Sequence, residues 1–233
     1  MEDIWVKVDR YLEDTLLPED AVLRGAIRRS EAEGLPRIQV TPPLGRLIQL
    51  LARLQGARRI LEVGTLGGYS TIWLARALPA GGRLVTVELS PHHAEVARQN
   101  IVAAGLQEVV EVRVGAAGDV LRRMWEAGES AYDMVFIDAD KASLPEYLTW
   151  ALRLTRPGSL IVADNVVRRG AVVDAASEDA NVRGVRAFLA ACGAEPRLEA
   201  TVLQTVGAKG HDGIAVALVV DSAGAAEGGA ADD

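Results

Sequence analysis

Only one cysteine, Cys192, occurs in the 233 residues. A lone thiol cannot close an internal disulfide, and no metal-ligand pattern surrounds it, so thiol redox chemistry is excluded and the residue reads as packing. Long apolar runs are missing: none approaches the roughly 20 residues that a membrane-spanning helix needs. The start, Met1-Glu2-Asp3-Ile4-Trp5, lacks the basic and apolar regions of a secretory signal. A cytoplasmic protein without a membrane partner is expected. There is no basic stripe either. Arg28-Arg29, Arg58-Arg59, Arg122-Arg123 and Arg168-Arg169 are isolated pairs, which argues against a nucleic-acid partner. Of these, Arg168-Arg169 alone follows a chemically suggestive segment and could meet an acidic acceptor.

The formal charge is −7, of which Asp221, Glu227, Asp232 and Asp233 carry −4 and leave −3 on the body. Residues 222–233 are mostly Ala, Gly and acid, too poor in large apolar groups to fold alone, and are expected to form a flexible acidic tail. The rest, 49% hydrophobic and 24% charged over the whole chain, suffices for one domain over 1–221. No internal repeat is found.

Between residues 58 and 162, short β-branched runs alternate with longer helical stretches, as in repeated βα units that build a parallel sheet. Strands are expected at 59–63, 83–88, 109–114, 132–137 and 159–162, with helices at 68–78, 91–104, 117–127 and 144–155. The strands are almost continuously apolar, which implies cover on both faces. Helices at 4–17, 19–33 and 44–54 form an N-terminal cap over 1–56, ahead of a core at 57–221. A helix at 179–191 and a hairpin of strands 197–206 and 213–220, joined by a glycine-containing turn, are expected to close the chain.

The first strand runs into Glu62-Val63-Gly64-Thr65-Leu66-Gly67-Gly68-Tyr69-Ser70, with three glycines in a strand-to-helix turn. Ligands of open α/β sheets bind at this edge, where glycine lets the backbone come close to them. The dinucleotide spacing G-x-G-x-x-G is absent. The second strand ends on Glu88, whose carboxylate can accept both hydroxyls of a ribose. That acid suits NAD and S-adenosylmethionine equally. Ser90-Pro91 reads as the next helix start, with His92 and His93 solvated in its first turn.

Two further strand tips carry unpaired acids: Ile137-Asp138-Ala139-Asp140-Lys141 and Ala163-Asp164-Asn165. Buried carboxylates need neutralising. Asp138, Asp164 and Asn165 offer an all-oxygen shell with two negative charges, which suits Mg²⁺ better than Zn²⁺. Lys141, three residues beyond Asp138, is placed to act as a general base.

The order Glu62-x-Gly64-x-x-x-Gly68-Tyr69-Ser70, Glu88, Gly115-Ala116, Asp138-x-x-Lys141 and Asp164-Asn165 resembles the metal-dependent O-methyltransferases typified by the catechol and caffeoyl-CoA enzymes. The match is good over 39–167 and loose in the hairpin. The resemblance implies a Rossmann-like class I methyltransferase fold, α/β, with a mostly parallel seven-stranded sheet, a C-terminal antiparallel hairpin and helices on both faces. It implies S-adenosylmethionine as cofactor, bound by Val40, Glu62, Gly64, Thr65, Ser70, Glu88, Ala116 and Asp138. It also implies a divalent metal, expected to be Mg²⁺, held by Asp138, Asp164 and Asn165, with Lys141 and Asp138 in the catalytic role. The acceptor would be a catechol-like small phenol, and the assembly a homodimer. Ala117 stands where the catechol enzyme has an adenine-binding serine. Gly210-His211-Asp212-Gly213 only partly matches a turn of the bacterial relatives, and His211 is expected to face solvent. A metal-independent methyltransferase, a nicotinamide dehydrogenase and a non-catalytic cofactor-binding protein remain as rivals.

Overall fold

The computed structural model describes residues 2–221, so the expected acidic tail lies outside the described residues. Strands β1 (Arg59–Val63), β2 (Arg83–Glu88), β3 (Val110–Val114), β4 (Tyr132–Ile137) and β5 (Thr155–Asp164) run parallel to one another. A closing pair, β6 (Leu198–Gly207) and β7 (Gly210–Val219), is antiparallel, and β7 also pairs antiparallel with β5. The order is β3-β2-β1-β4-β5-β7-β6. This is the seven-stranded, mostly parallel sheet that the sequence implied.

Side chains alternate across a strand, and both faces are covered. Leu61, Val85, Val135 and Ile161 point to one layer, built with α6 (Ala117–Glu126), α7 (Leu144–Leu154) and α8 (Ala180–Ala194). Ile60, Leu84, Met134 and Val162 point to the other, built with α2 (Ala21–Ala32), α3 (Pro42–Leu54) and α4 (Tyr69–Ala75). Complete burial of one such side chain contributes about 1.5–3 kcal/mol, so the central strands lock the sheet from both sides. Helices α1 (Glu2–Leu16) and α5 (Pro91–Ala103) complete the chain. Cys192 is buried in the first layer, where desolvation pushes its thiol up to about 11, consistent with inert packing.

Several boundaries differ from expectation for identifiable reasons. Asp20 accepts from the backbone N–H groups of Val22 and Leu23, so α2 begins after it. Thr41 accepts from Leu44 N, and the prolines after it occupy the first helical turn, where a missing N–H costs nothing. Helix α4 is short because left-handed Gly68 delays its start and the chain turns off after Ala75. β5 begins at Thr155, which already pairs with Tyr132 across an irregularity. The hairpin turn is tighter than expected: Gly207 pairs with Gly210, and Gly210, His211 and Asp212 lie within β7.

Candidate active site

The strand order changes direction beside β1, whose neighbours are β2 and β4, and the ends of these strands open on one crevice. There the tips of β1 and β4 nearly touch. Asp138 N donates to Val63 O at 2.8 Å. A Cβ on Gly64, whose φ is +100°, would lie 2.1 Å from the Asp138 carbonyl oxygen. Glycine is required here both for its backbone conformation and for the contact.

A cavity of about 840 Å³ opens at this point, within the range of small-molecule sites. Gly64, Thr65, Ser70, Glu88 and Ala116 line one part of it, and Asp138, Lys141 and Asn165 line another. Val40, Glu62 and Asp164 are buried and lie outside that lining. Val40 packs in the α2–α4 layer.

Glu62 supports the turn from behind. Its Oε1 accepts from Ser70 Oγ at 2.6 Å, and its Oε2 from Thr71 Oγ1 at 2.5 Å and Thr86 Oγ1 at 2.7 Å. Desolvation pushes its carboxyl up to about 7 against these hydroxyls, and the nearby charge of Asp138 adds to the rise. Glu88 sits at the cavity wall. Its Oε2 accepts from Thr65 N at 3.2 Å and Leu66 N at 2.8 Å, and its Oε1 from Ser90 N at 2.9 Å. Oε2 thus has both lone pairs engaged, whereas Oε1 keeps one for a ligand. Ser90 caps α5 as expected, accepting from His93 N. His93, expected to be solvated, is half-buried and lines the cavity with Nδ1 3.5 Å from Glu88 Oε1. His92 instead contacts Glu33 O.

Across the cavity, buried Lys141 donates to Asp138 Oδ1 at 2.9 Å. Asp164 accepts from the backbone N–H of Asn165 at 2.7 Å. Burial is the largest cause that pushes Asp164 up to about 7, followed by Asp138, with Lys141 acting against them. Asn165 takes a left-handed φ of +58°, a conformation asparagine tolerates. Among the described residues no group of three or more His, Cys, Asp or Glu side chains is arranged to hold a metal. The expected set comprises two carboxylates and one amide, a donor composition that a hard cation accepts.

Several supporting residues escaped sequence reasoning. Asn100 on α5 donates to Gly67 O at 2.8 Å and to Ala26 O at 3.3 Å, and accepts from Arg29, tying the glycine turn to α2. Asp212 Oδ1 accepts from Val167 N, Arg168 N and Gly213 N, fixing the loop after Asn165. Lys209, at the hairpin turn, donates to the carbonyls of Ile38 and Gln39, and Ile38 lines the cavity. Gly184 lets α8 approach the Lys141 backbone, where a Cβ would lie 2.1 Å from Lys141 O. Polar residues inside a helix or turn carry no local signal of such long-range partners. His211 reaches Gln204 across the hairpin and lies outside the cavity lining.

A family model described as O-methyltransferase matches residues 14–219. The chain belongs to the O-methyltransferase family. It is 51% identical over 216 residues to a catechol O-methyltransferase of Niastella koreensis, covering 93% of this chain and 98% of that one. It is 50% identical over 212 residues to a catechol O-methyltransferase of Mycobacterium tuberculosis, covering 91% and 94%. The solved O-methyltransferase of Bacillus cereus in complex with SAH superposes with a TM-score of 0.93 at 51% identity, covering 94% and 100%. This O-methyltransferase is therefore an S-adenosylmethionine-dependent enzyme, and its glycine turn and Glu88 lie where an α/β sheet receives such a ligand.

Proposed function

We propose that this O-methyltransferase methylates one hydroxyl of a catechol-like small molecule with the help of a divalent cation. The observation that carries the proposal is the grouping of Asp138, Lys141 and Asn165 on one cavity wall, with buried Asp164 beside them in the fold. Asp164 is driven toward the neutral acid by burial and by Asp138, and a hard cation would relieve both effects. Asp138, Asp164 and Asn165 would hold the ion. Bound there, it would supply positive charge that favours the ionised phenol.

The residues divide the remaining work. Gly64, Thr65 and Glu88 receive the methyl donor, with Glu88 accepting from a ribose hydroxyl. Glu62 stays behind the turn and keeps Ser70 and Thr71 in place. Lys141 Nζ, once it has released its own proton to solvent, accepts the proton of the reacting hydroxyl on the lone pair so freed. The phenolate oxygen forms the new bond to the methyl carbon, and the electron pair of the broken carbon–sulfur bond leaves on the thioether. The enzyme contributes mainly by positioning acceptor and donor at reacting distance.

Lys141→Ala tests the base. With 1,2-dihydroxybenzene as acceptor, kcat should fall by about 10²-fold or more while calorimetric S-adenosylmethionine affinity is retained. Activity should recover partly as pH rises and the diol ionises unaided. A variant with wild-type kcat at neutral pH would remove Lys141 from the mechanism.

A further inference from the structure

Several arginines of this enzyme find carboxylates, Arg24, Arg76, Arg113, Arg122 and Arg197 among them. Arg168 is the arginine that faces the cavity instead. It lines the same cavity as Lys141 and Asn165, its side chain has no ion pair among the described residues, and its buried Nε has no hydrogen-bond partner. A buried donor left unmade is costly, and more so on a charged group.

Two acids of the cavity near Lys141 are committed elsewhere. Lys141 holds Asp138, and Asp140 accepts from Tyr147 Oη at 2.5 Å and Ser143 N at 3.1 Å. Nor is the loop free to swing the guanidinium away. Asp212 holds the N–H groups of Val167 and Arg168, each at 3.0 Å, and Val166 and Val167 are buried. Arg168 takes a φ of +55° and Arg169 one of +56°, a left-handed conformation that side-chain-bearing residues rarely adopt. Arg169 is exposed and lies outside the cavity lining.

We propose that Arg168 binds a carboxylate carried by the acceptor, so that the substrate class is an anionic catechol. The proposal rests on the catechol reading above. A guanidinium presents a planar fork of donors that fits a carboxylate with two parallel hydrogen bonds. It stands three residues beyond Asn165, on the wall where the diol would bind, and would hold the far end of the ring's substituent. Orientation of the ring by this second anchor would also decide which hydroxyl faces Lys141.

The test compares kcat/KM for 3,4-dihydroxybenzoate and 3,4-dihydroxyphenylacetate with that for neutral 4-methylcatechol, in the wild type, Arg168→Gln, Arg168→Lys and Arg169→Gln. The wild type should favour the carboxylated acceptors by on the order of tenfold or more, as expected for a charge-assisted pair of hydrogen bonds. Arg168→Gln should bring the ratio close to one, chiefly through a higher KM for the acids. Arg168→Lys should restore part of it, and Arg169→Gln should keep it. Equal kcat/KM for acidic and neutral acceptors in the wild type would overturn this inference and leave the catechol reading standing. A uniform loss on all acceptors in Arg168→Gln, the mark of a purely structural role, would overturn it as well. Turnover of none of the diols by the wild type would overturn both readings.

Discussion

Gly64→Ala tests whether the crevice depends on contact between two strand tips. Two costs add. A φ of +100° suits glycine alone, and forcing alanine toward the left-handed side costs about 1–2 kcal/mol. The new Cβ would also lie 2.1 Å from the Asp138 carbonyl oxygen, and relieving such overpacking costs about 1–3 kcal/mol. The sum, about 2–5 kcal/mol, is a large share of the ~5–15 kcal/mol by which domains are stable. For a chain of this size each kcal/mol lowers Tm by about 2–4 °C. Gly105→Ala is the internal control, because Gly105 has φ +70° and a methyl added there would meet nothing within 4 Å, so it should carry the backbone cost alone. Thermal and urea unfolding of both variants separates the two contributions. Since the atom displaced belongs to Asp138, Gly64→Ala should also lose methyl transfer out of proportion to its stability. If Gly64→Ala is no less stable than Gly105→Ala, the reasoning about the touching tips is wrong.

Glu88→Ala should weaken S-adenosylmethionine binding by on the order of tenfold or more, through loss of a charge-assisted acceptor; an unchanged affinity in isothermal titration would place the ribose elsewhere. Glu62 predicts a pH effect on the cofactor-free protein. Its carboxyl is raised by burial from 4.5 to about 7, so the folded state binds the proton more tightly than the unfolded chain does. The resulting stability is full below about pH 4.5 and is lost as pH rises through about 7, up to about 3 kcal/mol in all. Glu62→Gln should remove this dependence, so the stability difference between wild type and variant should shrink or reverse from pH 5 to pH 8. A difference constant across that range would contradict the burial argument.

The parallel core could be read from the sequence because its central strands are almost continuously apolar, and such strands require cover on both faces. The tips could be read because Gly64, Glu88, Asp138 and Asp164 interrupt that apolar character where each strand ends. Local pattern failed where a distant partner decides. Gly210 looked like a turn residue but pairs with Gly207 in the hairpin ladder. Glu62 looked like a ligand-facing acid, yet three hydroxyls from α4 and β2 enclose it. His93 looked solvated until the fold brought it against Glu88. The left-handed loop that carries Arg168 has no glycine before Gly170 to announce it; Asp212, 44 residues away in the chain, holds it in place.

Methyl transfer from S-adenosylmethionine to 1,2-dihydroxybenzene, followed in the presence and absence of excess EDTA, tests the central claim most directly. The account predicts turnover that EDTA abolishes and that added Mg²⁺ or Mn²⁺ restores, with phenol itself a poor acceptor and Asp164→Ala inactive but folded. Full activity in excess EDTA would contradict it and assign the reaction to a metal-independent O-methyltransferase.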